Sequence, residues 1–103
     1  MKETLAYQNW EDKVVYPVVG AEPQVLAENE KFKTIVAGLA AGQKIPPHPE
    51  TSGVYIFQKG SGIMTVDEKQ FPVSPGSVVI TAAGAVRSID AHTRLSFIAV
   101  RVS

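Results

Sequence analysis

The stretch at residues 42–84 reads GQKIPPHPETSGVYIFQKGSGIMTVDEKQFPVSPGSVVITAAG. Short β-branched and apolar runs (VYIF, GIMTV and SVVIT) have strand composition. The segments KGSG, VDEKQ, SPG and AAG lie between or after them and have turn chemistry. His48 stands at the head of this stretch with Glu50 two residues on, a pair of potential ligand side chains.

Working outward, strands are expected near 53–58, 62–67 and 70–73, the last two forming a hairpin around residues 67–69. Pro75 and Gly76 turn the chain into a strand at 77–81. Residues 82–85 make a small-residue turn before a strand at 86–90. The chain closes with a strand at 94–102, whose broken alternation predicts cover on both faces. Upstream, GQKIPPH at 42–48 is barred from helix by Pro46 and Pro47 and reads as an extended, solvent-edged segment that delivers His48.

Residues 24–41 are divided. Phe32, Ile35, Val36 and Leu39 fall at helical spacing, whereas Asn29-Glu30 suits a turn and Thr34-Ile35-Val36 is β-branched. Agreement with the all-β remainder favours a hairpin, 24–28 with 32–40. In the first 20 residues, Trp10 and the Val-rich run at 14–19, broken by Pro17, predict one or two short strands. Strands at this even spacing with short turns indicate a single sandwich or barrel over residues 1–103.

The totals agree. With 103 residues, 45% apolar and 19% charged, the chain suits one globular domain and not a disordered one. Ten basic and ten acidic residues cancel, and no basic run is present, so neither nucleic acid nor a membrane surface is an expected partner. The absence of cysteine removes disulfides, thiolate metal sites and thiol nucleophiles. With no signal-peptide pattern at the start, the expected location is cytoplasmic. Neither a phosphate-binding G-x-x-x-x-G-K-[ST] motif nor a G-x-S-x-G elbow occurs.

The order of these pieces resembles the cupin superfamily over about residues 32–102. Gly42, Gly60, Gly62, Pro75, Gly76 and Gly84 fall where that family's scaffold positions are expected. The resemblance implies a small cupin-like double-stranded β-helix, or jelly-roll barrel. The family's first motif, G-x5-H-x-H-x3-4-E-x6-G, is met here as Gly42-x5-His48-x-Glu50 and then Gly53-x6-Gly60. Glu50 replaces the second histidine, and Gly53 stands at the carboxylate position. In an alternative register His48 is the second histidine and Pro46 the first. The second motif, G-x5-P-x-G-x2-H-x3-N, is met as Gly76-x5-Ala82-x-Gly84-x2-Arg87-x3-Ala91, with Arg87 at the metal-binding histidine. Three histidines and a glutamate are what such a barrel gives a metal; this chain offers His48 and Glu50.

A guanidinium only donates, so it cannot ligate, and its charge repels a metal ion. His92 lies five residues past Arg87, about 16 Å along a strand. The expected cofactor is therefore none, with a divalent transition metal on His48 and Glu50 as the alternative. Arg87 is expected either to anchor a carboxylate or phosphate or to form an internal salt bridge with Glu50. His48 would hydrogen-bond the ligand or act as acid or base. Tyr55 and Phe57, by strand alternation, would wall the cavity or simply fill the core. Three functions follow as expectations: a barrel binding a small, anionic organic ligand; a cupin enzyme of the oxygenase or isomerase class, or a metal-free one using His48; or an assembly protein with a vestigial pocket. A homodimer is expected, with Trp10 and residues 14–19 at its interface.

Overall fold

The computed structural model describes residues 3–103; among them the turn residues of the sequence set off nine strands, arranged in two antiparallel sheets. The strands are β1 (Gln24–Glu28), β2 (Phe32–Leu39), β3 (Lys44–Pro49), β4 (Ser52–Lys59), β5 (Gly62–Val66), β6 (Lys69–Val73), β7 (Val78–Thr81), β8 (Val86–Ala91) and β9 (Leu95–Val102). One sheet runs β1-β2-β9-β4-β7 and the other β3-β8-β5-β6. The jelly-roll expectation holds, and so does the hairpin at 24–41: β-branching and the Asn29 turn outweigh the helical spacing. Asn29 accepts from the N–H groups of Lys31 and Phe32 at 2.8 and 3.0 Å, which closes that turn. The β5–β6 hairpin turns on Asp67 and Glu68, both at positive φ (47° and 74°).

Alternation places Tyr55 and Phe57 of β4, Ile89 of β8 and Phe97 of β9 in the space between the sheets. Phe97 packs its ring 5.5 Å from Phe57 and 5.8 Å from Tyr55, both tilted, the arrangement that ring quadrupoles favour. β3 forms an edge of the smaller sheet and pairs only with β8. Its register breaks between Ile45 and His48, where Pro46 and Pro47 have no N–H to give the ladder.

The N-terminal expectation needs correcting. Among the described residues no strand precedes Gln24; instead Trp10–Lys13 forms a short 3-10 helix. Asn9 caps it, its side chain accepting from the Glu11 N–H at 3.2 Å. The valine run that follows crosses the end of β2 as an irregular strap. Val14 and Tyr16 lie so close to Gly38 that a Cβ there would meet their carbons at 2.6–2.7 Å. Val18 and Val19 project outward, 88% and 78% exposed. No described helix is long and apolar enough to cross a membrane.

Candidate functional site

At one end of the barrel the sheets part around a cavity of about 270 Å³. Ile35, Tyr55, Phe97 and Arg101 line it from the larger sheet, and Lys44, Ile45, Pro46, His48, Arg87 and Ile89 from the smaller. Gly20, Ala21 and Pro23 of the strap close one side, and the Gly20 N–H donates to Gln43 Oε1 at 3.0 Å. Gly20 sits at φ +65°, a backbone conformation that suits the absence of a side chain.

Arg87 enters this space because β8 alternates: Arg87, Ile89 and Ala91 all face inward. It is 1% exposed. Nε donates to the Ala85 carbonyl at 3.1 Å; Nη1 to Thr51 O at 3.0 Å, Thr81 Oγ1 at 2.6 Å and Tyr55 Oη at 3.3 Å; and Nη2 to the carbonyls of Glu50 and Ala82, both at 3.1 Å. The guanidinium also lies over the Tyr55 ring at 5.8 Å, within cation–π range. Five N–H groups thus meet six acceptors, all of them neutral. The expectation of Arg87 as a bidentate anion clamp changes accordingly: its donors are engaged, and what it lends the cavity is charge.

The alternative expectation, an Arg87–Glu50 salt bridge, is also corrected. Only the Glu50 main chain reaches Arg87; its carboxylate turns to Arg101, with Oε2 3.7 Å from Nη1. Glu50 itself does not line the cavity.

His48 is the ladder partner of Arg87 and lines the cavity. Its Nδ1 lies 3.0 Å from the Pro46 carbonyl. A carbonyl only accepts, so Nδ1 carries the proton and Nε2 is the basic nitrogen of the neutral ring. Of the two aromatic residues anticipated as cavity walls, Tyr55 lines the cavity, while Phe57 packs into the core beyond it.

Sequence reasoning missed Arg101 and Lys44. Arg101 follows Phe97 and Ala99 on the inward row of β9, and that spacing was the available signal. Its Nε is buried without a hydrogen-bond partner, an arrangement that costs about 1–3 kcal/mol. Lys44 stands at the rim, 4.0 Å from Asp90.

The donor set does not fit a metal. Among the described residues no three His, Cys, Asp or Glu side chains converge. At the family's carboxylate position, the space where a Gly53 Cβ would lie is closed by Tyr55 Cε1, Arg87 Nη1 and Thr81 Oγ1, at 3.1, 3.3 and 3.3 Å. The arginine cage therefore stands where a ligating side chain would extend.

No family model and no curated protein matches the chain in sequence. Among solved structures it is similar to a conserved protein of unknown function from Streptococcus pyogenes (TM-score 0.84, 19% identity, covering 98% of this chain and 90% of that one). It is also similar to a cupin superfamily protein from Desulfitobacterium hafniense (TM-score 0.75, 16% identity, 80% and 76% covered). A third is described as a predicted oxalate decarboxylase from Thermotoga maritima (TM-score 0.73, 24% identity, 80% and 79% covered). The chain has the cupin fold.

Proposed function

We propose that this barrel binds a small anionic organic ligand in the cavity beside His48, without a tightly bound metal. The observation that carries the reading is the charge of the wall. Arg87, Arg101 and Lys44 line the cavity and no aspartate or glutamate does. Arg87 is buried among neutral acceptors, and in a low-dielectric interior its charge favours an anion nearby. Apart from His48 and Ser88 the remaining wall is aliphatic and aromatic, as in most small-molecule sites.

Thermal shift against a panel of small carboxylates and inorganic phosphate, each beside its neutral amide or alcohol, tests this. A true ligand at a hundredfold above its Kd adds about 2.7 kcal/mol of stability. Anions are expected to raise the melting temperature and neutral counterparts to leave it unchanged. Stabilisation by neutral compounds alone would remove the electrostatic basis of the reading. A near-stoichiometric transition metal in elemental analysis of the untagged protein would overturn the metal-free part of the reading.

A second reading, catalysis with His48 as a proton acceptor, is favoured by the free Nε2. It expects exchange of a ligand C–H for solvent deuterium, lost in His48→Asn; absence of exchange with a bound ligand rejects it.

A further inference from the structure

Arg101 differs from Arg87 in having donors to spare. Its ladder neighbour on β4 is Gly53, which has no side chain to lay across it. Nη1 is directed to Glu50 at 3.7 Å, with the side chains only 25% and 29% exposed, while Nε has no partner. Buried polar side-chain atoms generally find one. The Nε–Nη2 edge of a guanidinium is also the edge that grips a carboxylate through two parallel bonds. Arg101 lines the cavity, and presenting that edge to an occupant takes a rotation of its side-chain torsions.

Building on the anion-binding reading above, we propose that the ligand is a monocarboxylate with an apolar body, its carboxylate seated on the Nε–Nη2 edge of Arg101. One charge is favoured because Arg101 is the wall cation with a buried donor to spare. Arg87 has spent its N–H groups on the protein, and Lys44 stands at the solvent rim, 69% exposed and 4.0 Å from Asp90. A second carboxylate, or a phosphate, would set further charged oxygens against a wall that includes Ile35, Ile45, Ile89 and Phe97, with only His48, Ser88 and Lys44 left to meet them. A cavity of about 270 Å³ lies at the small end of small-molecule sites, which suits a six-carbon branched acid.

Isothermal titration of the full chain with isocaproate, isocaproamide, oxalate and inorganic phosphate tests the assignment. Isocaproate is expected to bind, with the amide and both dianion-forming probes at least about tenfold weaker, the scale of a charge-assisted hydrogen bond. Arg101→Met is expected to lose about tenfold or more of the isocaproate affinity, and Arg101→Lys to recover only part, having charge but no two-bond edge. Glu50→Gln is expected to tighten binding several-fold, because the competing carboxylate is gone; a purely structural role for Glu50 predicts no gain.

Equal isocaproate affinity in wild type and both Arg101 variants overturns the proposal, as does tighter binding of oxalate or phosphate. If another anion binds the wild type and isocaproate does not, this assignment fails and the anion-binding reading stands; if no anion binds, both fail. Should Arg101→Met not fold, Arg101→Lys and Glu50→Gln decide.

Discussion

Arg87 reaches Glu50 through the main chain alone: Nη2 donates to the carbonyl at 3.1 Å while the carboxylate points to Arg101. The contact is one strut of a cage that joins the β3–β4 loop, β4, the end of β7 and the start of β8. Removing the guanidinium takes a donor from four carbonyls and two hydroxyls; the Glu50 and Ala82 carbonyls keep the N–H groups of Gly84 and Ala85, while the Thr81 and Tyr55 hydroxyls and the Ala85 carbonyl belong to buried residues. That differs from exchanging a whole buried ion pair for apolar groups, which is often neutral. Arg87→Met is therefore expected to cost about 2–3 kcal/mol, the scale of buried neutral acceptors left without a donor, read from urea unfolding midpoints. Arg87→Lys, with three donors for six acceptors, recovers only part. A loss below about 1 kcal/mol for the methionine variant would show that water replaces the cage freely.

Gly53 is the cradle of that cage. Glycine to alanine in an unstrained strand position usually gains about 0.4–1 kcal/mol through the unfolded chain. Here the new methyl would press on Tyr55, Arg87 and Thr81 at 3.1–3.3 Å, tighter than ordinary packing. Overpacking at about 1–3 kcal/mol outweighs the gain, so Gly53→Ala is expected to lower the melting temperature. A raised melting temperature would mean that Arg87 can retreat.

Much of this was legible in the sequence, and for definite reasons. Glycine and proline clusters spaced the strands, and the 24–28/32–39 hairpin followed from β-branching at 34–36 and the Asn29 turn. His48, Tyr55 and Arg87 were found because motif spacing drew attention to them, and the cavity does gather all three. Arg101 escapes notice because the broken alternation of RLSFIAVRV predicts cover on both faces; only the parity of 97, 99 and 101 marks it as inward. The N-terminal valines misled because β propensity measures fit to a pleated surface with ladder partners. Residues 14–20 have no such partner; Val14 and Tyr16 pack on Gly38, a contact that no local pattern announces.

That contact makes Gly38 a control on the cavity wall. An alanine methyl at 2.6–2.7 Å from Val14 and Tyr16 cannot be absorbed within the buried β2, so the irregular strap must lift. Gly38→Ala is expected to cost about 1–3 kcal/mol and to speed amide hydrogen exchange across residues 14–20. Because Gly20, Ala21 and Pro23 belong to the cavity wall, ligand affinity should fall with it. Unchanged exchange in 14–20 would show that the strap is held elsewhere.

The strap also carries a pH dependence. Burial, followed by the hydrogen bond that Tyr16 donates to Glu11, raises the Tyr16 phenol above its ordinary value, against smaller lowering effects from Ser96 and Arg94. Glu11 is held in turn by Ser96 Oγ at 2.7 Å and by Lys59 at 3.9 Å, and the Arg94 guanidinium stacks 3.8 Å above the Tyr16 ring. The folded state keeps the phenolic proton to higher pH than the unfolded chain does. The stability this contributes is complete below the ordinary tyrosine value of about 10 and drains away as pH rises through the raised folded value. Urea unfolding at about pH 9 and about pH 11 should therefore show a larger alkaline loss in wild type than in Tyr16→Phe, since the other titrating groups are common to both. Parallel losses would place the alkaline sensitivity outside Tyr16 and leave its bond to Glu11 a matter of packing alone.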